Sequence, residues 1–160
     1  METFAQRIAI FEEQERELQF DGFTNEDALQ LGLLIVRLAQ ESGKSITIDI
    51  TRKGQRLFVH AMKGTSVGNE DWIRRKNNTA GYFGKSSWRV ALELRELGRS
   101  IEEEHGLDTA DYAAAGGAFP IVVRGEGMIG TVTVSGLPDQ EDHDLVVEAL
   151  RQYLAISNEQ

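Results

Sequence analysis

Cysteine is absent from the 160 residues. That absence removes a disulfide framework, a thiolate metal site and a thiol nucleophile together. Proline is scarce, with two in the chain. No low-complexity stretch, internal repeat or linker-like segment marks a place to divide it, so one domain over residues 1–160 is expected. Nothing approaches the roughly 18 consecutive apolar residues of a membrane-spanning helix. The opening METFAQRIAIFEEQEREL has no long apolar core and several carboxylates, unlike a secretory leader. The expectation is a cytoplasmic protein with no membrane contact, long enough to bury a real core.

What is there begins with charge. The formal net charge is −9, which argues against nucleic acid as a partner, because that binding is driven by phosphate neutralisation. The charge is unevenly spread. Arg37 to Arg99 holds 13 Lys/Arg and 6 Asp/Glu, and the rest of the chain 4 and 20. A positive middle section can meet a small anionic ligand. It can equally pair with the acidic flanks, within one chain or across an oligomer, and most surface charge has no specific ligand.

Hydrophobic spacing predicts the elements. Phe4, Ile8, Phe11 and Leu18 space a helix over about residues 3–19. Thr24, with Asp27 three residues on, starts a second helix that runs to about Ser42, where Gly43 ends it. In ITIDITRKGQRLFVHAM two alternating runs flank Lys53-Gly54, a two-residue hairpin turn. That turn would set Ile50 opposite Leu57 and put Asp49, Phe58 and His60 on one face. Asn69 caps a helix that Gly84 ends, and Ser86 opens another that runs on to His105-Gly106. A strand from about Phe119, a tight RGEG turn and MIGTVTVS form a second hairpin, and a last helix runs from Asp139 to about Ala155. Hairpins with helices between them predict an α+β fold, an antiparallel sheet of four to five strands with flanking helices. One sheet face is polar, carrying Thr47, Asp49, Thr51 and His60 with Thr131, Thr133 and Ser135. Such a face is solvated, covered by helices, or used for a ligand or subunit.

Several clusters carry chemistry. Glu141-Asp142-His143-Asp144 suggests a metal site, but consecutive residues fan out around a helix axis and cannot share one ion. A helix start with Asp139 as cap and Asp142 reaching back is the better account. His143 leans toward the buried side of that helix. It is either a core histidine held by a neighbour or a ligand and proton-transfer group at a pocket edge. Asp49 and His60 could form an oriented pair, or merely a polar cross-strand contact. No Gly-x-Ser-x-Gly elbow, phosphate loop or clustered metal ligand set is present, which favours a binding domain over an enzyme. The strongest binding candidate is Trp72, Arg74, Arg75, Lys76 and Asn77, followed by Lys85, Ser86 and Ser87. Three cations beside an aromatic suit carboxylates or phosphates, and a helix start at Ser86-Ser87 suits an anion. The plainer account is an amphipathic helix with a solvated cationic face and Trp72 in the core.

The run GGAFPIVVRGEGMIGTVTVSGLPDQEDHDLVVEAL resembles the C-terminal half of the GlcG/HbpS-like superfamily, the "heme-degrading domain". GQRLFVHAMKGTSVGNEDWIRRKNNTAGYFGKSS resembles one branch of it that has a yeast member. The likeness covers about residues 24–155, with 1–20 as an added N-terminal helix. It implies a profilin-like α+β fold, symmetric homo-oligomers, and haem or another tetrapyrrole as cofactor in some relatives. One eukaryotic relative implies a non-enzymatic oligomeric adaptor or scaffold of chaperone-associated type instead. There is a departure: several members of the branch have His before the Gly-Gly pair, where this chain has Ala115, and no His precedes His60. The expected function is therefore a small-ligand-binding domain. Residues 72–89 would hold acid groups, and His60 or His143 would make the axial or polar contact.

Overall fold

Thr3 opens the first helix: its hydroxyl accepts from Gln6 N, and the Gln6 side chain accepts from Thr3 N. This reciprocal pairing satisfies amides that a helix start leaves free. The computed structural model describes residues 1–159. In chain order the elements are α1 (Phe4–Glu17), α2 (Asn25–Glu41), β1 (Thr47–Arg52), β2 (Gln55–Ala61), α3 (Val67–Phe83), α4 (Ser87–Leu97), α5 (Ile101–His105), β3 (Ala118–Val123), β4 (Gly127–Ser135) and α6 (Asp139–Glu159). The strands form one antiparallel sheet in the order β2-β1-β4-β3, so the fold is α+β with four strands. Thr24 and Asp27 form the expected capping box of α2.

The period-two pattern sorts the two sheet faces. Ile46, Ile48, Ile50, Val132, Val134, Phe119 and Ile121 form one core with Leu31 and Ile35 of α2 and Val146 and Leu150 of α6. A fully buried side chain of this size stabilises by roughly 1.5–3 kcal/mol. The other face is the polar one. It is covered by α3, whose Asn69 Nδ2 donates to Ser135 Oγ at 3.1 Å and whose Asn77 Oδ1 accepts from Thr133 Oγ1. The basic, amide-rich helix and the polar sheet face are thus two halves of one contact. α1 packs on α4 through Ile8, Phe11, Trp88, Ala91 and Leu92.

Four details differ from the expectation. Lys53 and Gly54 do make the hairpin turn, both with positive φ, at 49° and 83°. However, a bulge after Ile50 sets Phe58, not Leu57, opposite it, and His60 opposite Ile48. One extra residue moves every later side chain to the other face. Phe58 therefore packs on the α2 side, and the Asp49–His60 pair does not form. The helix expected from Ser86 to His105 breaks, because Gly98 takes φ 68° and Ser100 starts α5 in a capping box with Glu103. α3 begins at Val67, with the Asn69 side chain accepting from Ser66 N, so Asn69 is the cap's partner rather than the cap. Asp139 does not cap its own helix. Its carboxylate accepts from Gly116 N, while Asp142 reaches back to Leu137 N.

Candidate functional site

Two adjoining cavities meet at Trp72, Ala115 and Asp139. Trp72 is 44% exposed and stands at the mouth rather than in the core. The guanidinium of Arg75, three residues on, lies 4.0 Å over its ring, and Arg75 Nε also donates to Asp71 at 2.9 Å. A cation held on an aromatic face and by a carboxylate has a fixed position.

The first cavity, of about 440 Å³, lies between the start of α3, the Ser135–Asp139 turn and the start of α6. Lys76 and Asp142 line it, 3% and 2% exposed. Lys76 Nζ lies 3.2 Å from Asp142 Oδ2 and donates to Val134 O at 3.0 Å. Burial pushes the lysine below its ordinary range and lifts Asp142 to about 6, against the attraction between the two. The neighbouring glycines are required by close approach. A Cβ on Gly116 would stand 2.1 Å from Asp139 O, and one on Gly117 would stand 2.3 Å from Val134 O. This gives the Gly-Gly pair a physical reason: it lets the 113–117 segment close against α6 and β4.

The second cavity, of about 420 Å³, is walled by Ala91, Leu94, Ile101, Tyr112 and Ala113–Ala115 and edged by Arg75, Arg95 and Arg99. Arg95 lies 4.8 Å over the Trp88 ring and 3.9 Å from Asp139, and Arg99 Nε is 2.6 Å from Glu104. Each guanidinium has five N–H donors in a fork, so these contacts leave donors for an anion.

The other expected site residues lie elsewhere. Arg74 bridges Asp71 and Asp111 on the surface. Asn77 faces the sheet, between Asp49 and Thr133. Lys85 pairs with Glu93 at 3.0 Å. Ser86 starts α4, but the anion at that helix start is the chain's own Glu15, which accepts from Ser86 N and Oγ and pairs with Arg89 at 2.8 Å. Ser87 is buried and accepts from Ala118 N. His60 is exposed on β2 and lines neither cavity. His143 is in the core rather than at a pocket edge. It is 1% exposed, its ring centroid is 4.6 Å from that of Phe11, and its Nε2 lies 2.7 Å from Gln14 Oε1. Burial lowers it to about 3, so it is neutral.

Much of the positive middle section pairs with the acidic flanks: Lys44 with Glu141, Arg74 with Asp111, Lys76 with Asp142, Arg89 with Glu15, Arg95 with Asp139 and Arg99 with Glu104. Among the described residues, no group of three or more His, Asp or Glu is placed to hold a metal ion, and no helix is long and apolar enough to cross a membrane. Sequence reading missed Arg95, Arg99 and Tyr112. Their only signal was the Gly98 break, which turns Arg99 back toward Arg95.

Comparison with known proteins shows the family and agrees with the fold. The family described as "Haem degrading protein HbpS-like" matches residues 23–151. A UPF0303 protein of Streptomyces coelicolor is 48% identical over 150 residues, 94% of this chain and 95% of its own. The crystal structure of the Ybr137w protein matches with a TM-score of 0.86 at 31% identity, covering 91% of this chain and 88% of that one. A PduOC:heme complex shares the fold at 18% identity, with a TM-score of 0.68, over 81% of this chain and 94% of its own.

Proposed function

The chain belongs to the HbpS-like family of haem-degrading proteins, and on that premise we propose that it binds an apolar, carboxylate-bearing ligand of the tetrapyrrole class. The observation that carries the reading is the cavity whose apolar wall is edged by Arg75, Arg95 and Arg99. Its volume, about 420 Å³, lies within the usual range for small-molecule sites. Guanidinium forks match carboxylates in pairs, and Tyr112, Leu94 and Ile101 offer surface for a flat apolar body. In this reading Trp72 and Arg75 would hold the ligand as the sequence suggests, with Arg95 and Arg99 beside them.

The fit to haem divides by group. The acid groups and the macrocycle suit the cavity. The iron does not find an axial histidine, because among the described residues no His, Cys or Met lines either cavity and His60 and His143 lie away from both. Tyr112 is the lining side chain with an oxygen of the kind that ligates haem iron in some proteins. Haem would supply redox and oxygen chemistry when bound, and the chain's residues would hold it by its acid groups and its face. The likeness in fold to a PduOC:heme complex supports the class of ligand.

The test is titration with haem and, in parallel, with metal-free protoporphyrin. Both are expected to bind saturably at micromolar concentration, because the acid groups and ring face carry the affinity. Arg99→Gln and Arg95→Gln should each weaken both about tenfold, the loss of one charged hydrogen-bonding group. No saturable change with either ligand would remove the reading.

A second reading is a homo-oligomeric scaffold. It is favoured by the sheet edges. The outer edge of β3 is bridged by Phe20, which bonds Val122 and Arg124, whereas the outer edge of β2 has no strand partner among the described residues. Leu29 and Leu33, one turn apart on α2, are exposed. Light scattering at micromolar concentration tests it, and a monomer would remove it.

A further inference from the structure

The cavity on the other side of Trp72 has a different chemistry and does not depend on the tetrapyrrole reading. Its floor holds an amine and a carboxylate rather than an arginine rim. Among the described residues Lys76 Nζ has two partners, Val134 O and Asp142 Oδ2, which leaves its third position without one there. Beside it, Gly117 has no side chain, and a Cβ there would stand 2.9 Å from Nζ. Asn69, Ser135 and Trp72 add amide, hydroxyl and aromatic surface to the lining. Burial holds the lysine below its ordinary range, which favours the neutral amine relative to an exposed lysine.

We propose that this cavity is a site for small uncharged carbonyl compounds, aldehydes above all, at which Lys76 forms an imine with Asp142 as its proton partner. Asp142 takes a proton from the ammonium group. The freed amine attacks the carbonyl carbon; a C–N bond forms as the C=O π pair moves onto oxygen, and a proton passes from the nitrogen to that oxygen to give the hydroxyl of a carbinolamine. The protonated Asp142 returns its proton to that hydroxyl, which leaves as water as the nitrogen lone pair closes the C=N bond. The products are a protonated imine beside a carboxylate and one water, and no oxidant or reductant takes part. The class of ligand follows from local charge. Asp139 and Asp142 outnumber Lys76 in the lining, and the nearby Arg75 cation faces the other cavity. A carboxylate substrate is repelled where a neutral aldehyde is not, and Asn69 and Ser135 suit its hydroxyl groups.

The test uses the unaltered protein, since removal of a buried lysine endangers the fold. It is incubated at neutral pH with glycolaldehyde and sodium cyanoborohydride, which reduces an imine to a stable amine, and then digested and mapped by mass spectrometry. The five lysines, Lys44, Lys53, Lys63, Lys76 and Lys85, serve as one another's controls. Lys76 is expected to be modified at least about tenfold faster than the exposed Lys53, as an activated amine is against an ordinary one. Glyoxylate, the charged counterpart, should modify Lys76 more slowly than glycolaldehyde does. Modification of Lys76 no faster than of Lys53, in protein whose circular dichroism stays native, overturns the proposal. Preference for glyoxylate overturns the assigned ligand class.

Discussion

The Lys76 ammonium and the Asp142 carboxylate lie 3.2 Å apart, and together they tie α3 to α6 beneath the Ser135–Asp139 turn. Each also holds backbone, Lys76 at Val134 O and Asp142 at Leu137 N. Removing one partner strands a buried charge, which costs about 3–5 kcal/mol, whereas replacing both with apolar groups of similar volume is often near neutral. Lys76→Met and Asp142→Leu should therefore each lower the free energy of unfolding by about 3–5 kcal/mol. The double variant should be more stable than the sum of the two losses allows. Urea unfolding of the four proteins measures the coupling, and simple additivity would show that the pair is no unit.

Asp49 makes a second tie, between sheet and helix. It is buried, accepts from Arg56 Nε and Thr51 Oγ1, each at 2.7 Å, and from Asn77 Nδ2 at 3.3 Å. Asp49→Ala leaves Asn77 and Thr51 without this acceptor and should cost about 2–4 kcal/mol. Asp49→Asn keeps an acceptor oxygen and should cost less. Thermal unfolding of the two variants gives the order, and equal losses would mean that only the charge matters.

This tie shows where sequence reading ran out. Alternation in ITIDIT placed Asp49 on the polar face correctly, and Thr24, Gly43, Gly84 and Ser86 marked helix ends by their chemistry alone. Alternation alone pairs Asp49 with His60, and the β-bulge after Ile50 undoes that pairing by shifting the register by one. A bulge answers to packing, here of Leu57 and Phe58 together against the core, and leaves no periodic trace. The basic segment 72–89 misled in another way. Its residues are neighbours in sequence, but a helix and a glycine turn send them to different surroundings, and Glu15, 71 positions earlier, takes the helix start offered by Ser86. The charge excess of the middle section was legible, but which of its members keep donors free was not, because that depends on tertiary pairing.

His143 gives a prediction in pH. Burial lowers its folded-state value from 6.5 to about 3. A depressed histidine contributes stability that is full above its unfolded value and is lost as pH falls toward its folded one. Between pH 6.5 and 3 the protein should lose about 4 kcal/mol through this group alone. His143→Leu removes the hydrogen bond to Gln14 and should be less stable at pH 7 by about 1–3 kcal/mol. Its deficit should shrink and then reverse as the pH falls. Unfolding free energies of both proteins at several pH values test this, and a constant difference would mean that His143 titrates normally.

Ala115 gives the last prediction, which joins the sequence departure to the cavities. It stands before Gly116-Gly117, where the family resemblance read from the sequence implies a histidine, and it lines both cavities at their junction. The Gly-Gly segment is fixed by its approach to Asp139 and Val134, so a side chain at position 115 has a defined base from which to project. Ala115→His should place an imidazole where the wild-type chain offers oxygen donors such as that of Tyr112. Haem bound to the variant should then show the sharper, shifted Soret band of nitrogen ligation, while metal-free protoporphyrin should bind the two proteins alike. An imidazole acts on the iron and not on the carboxylates, so the two ligands separate axial ligation from acid-group binding. An unchanged haem spectrum with tight binding retained would place the iron away from Ala115 and move the proposed ligand out of this cleft.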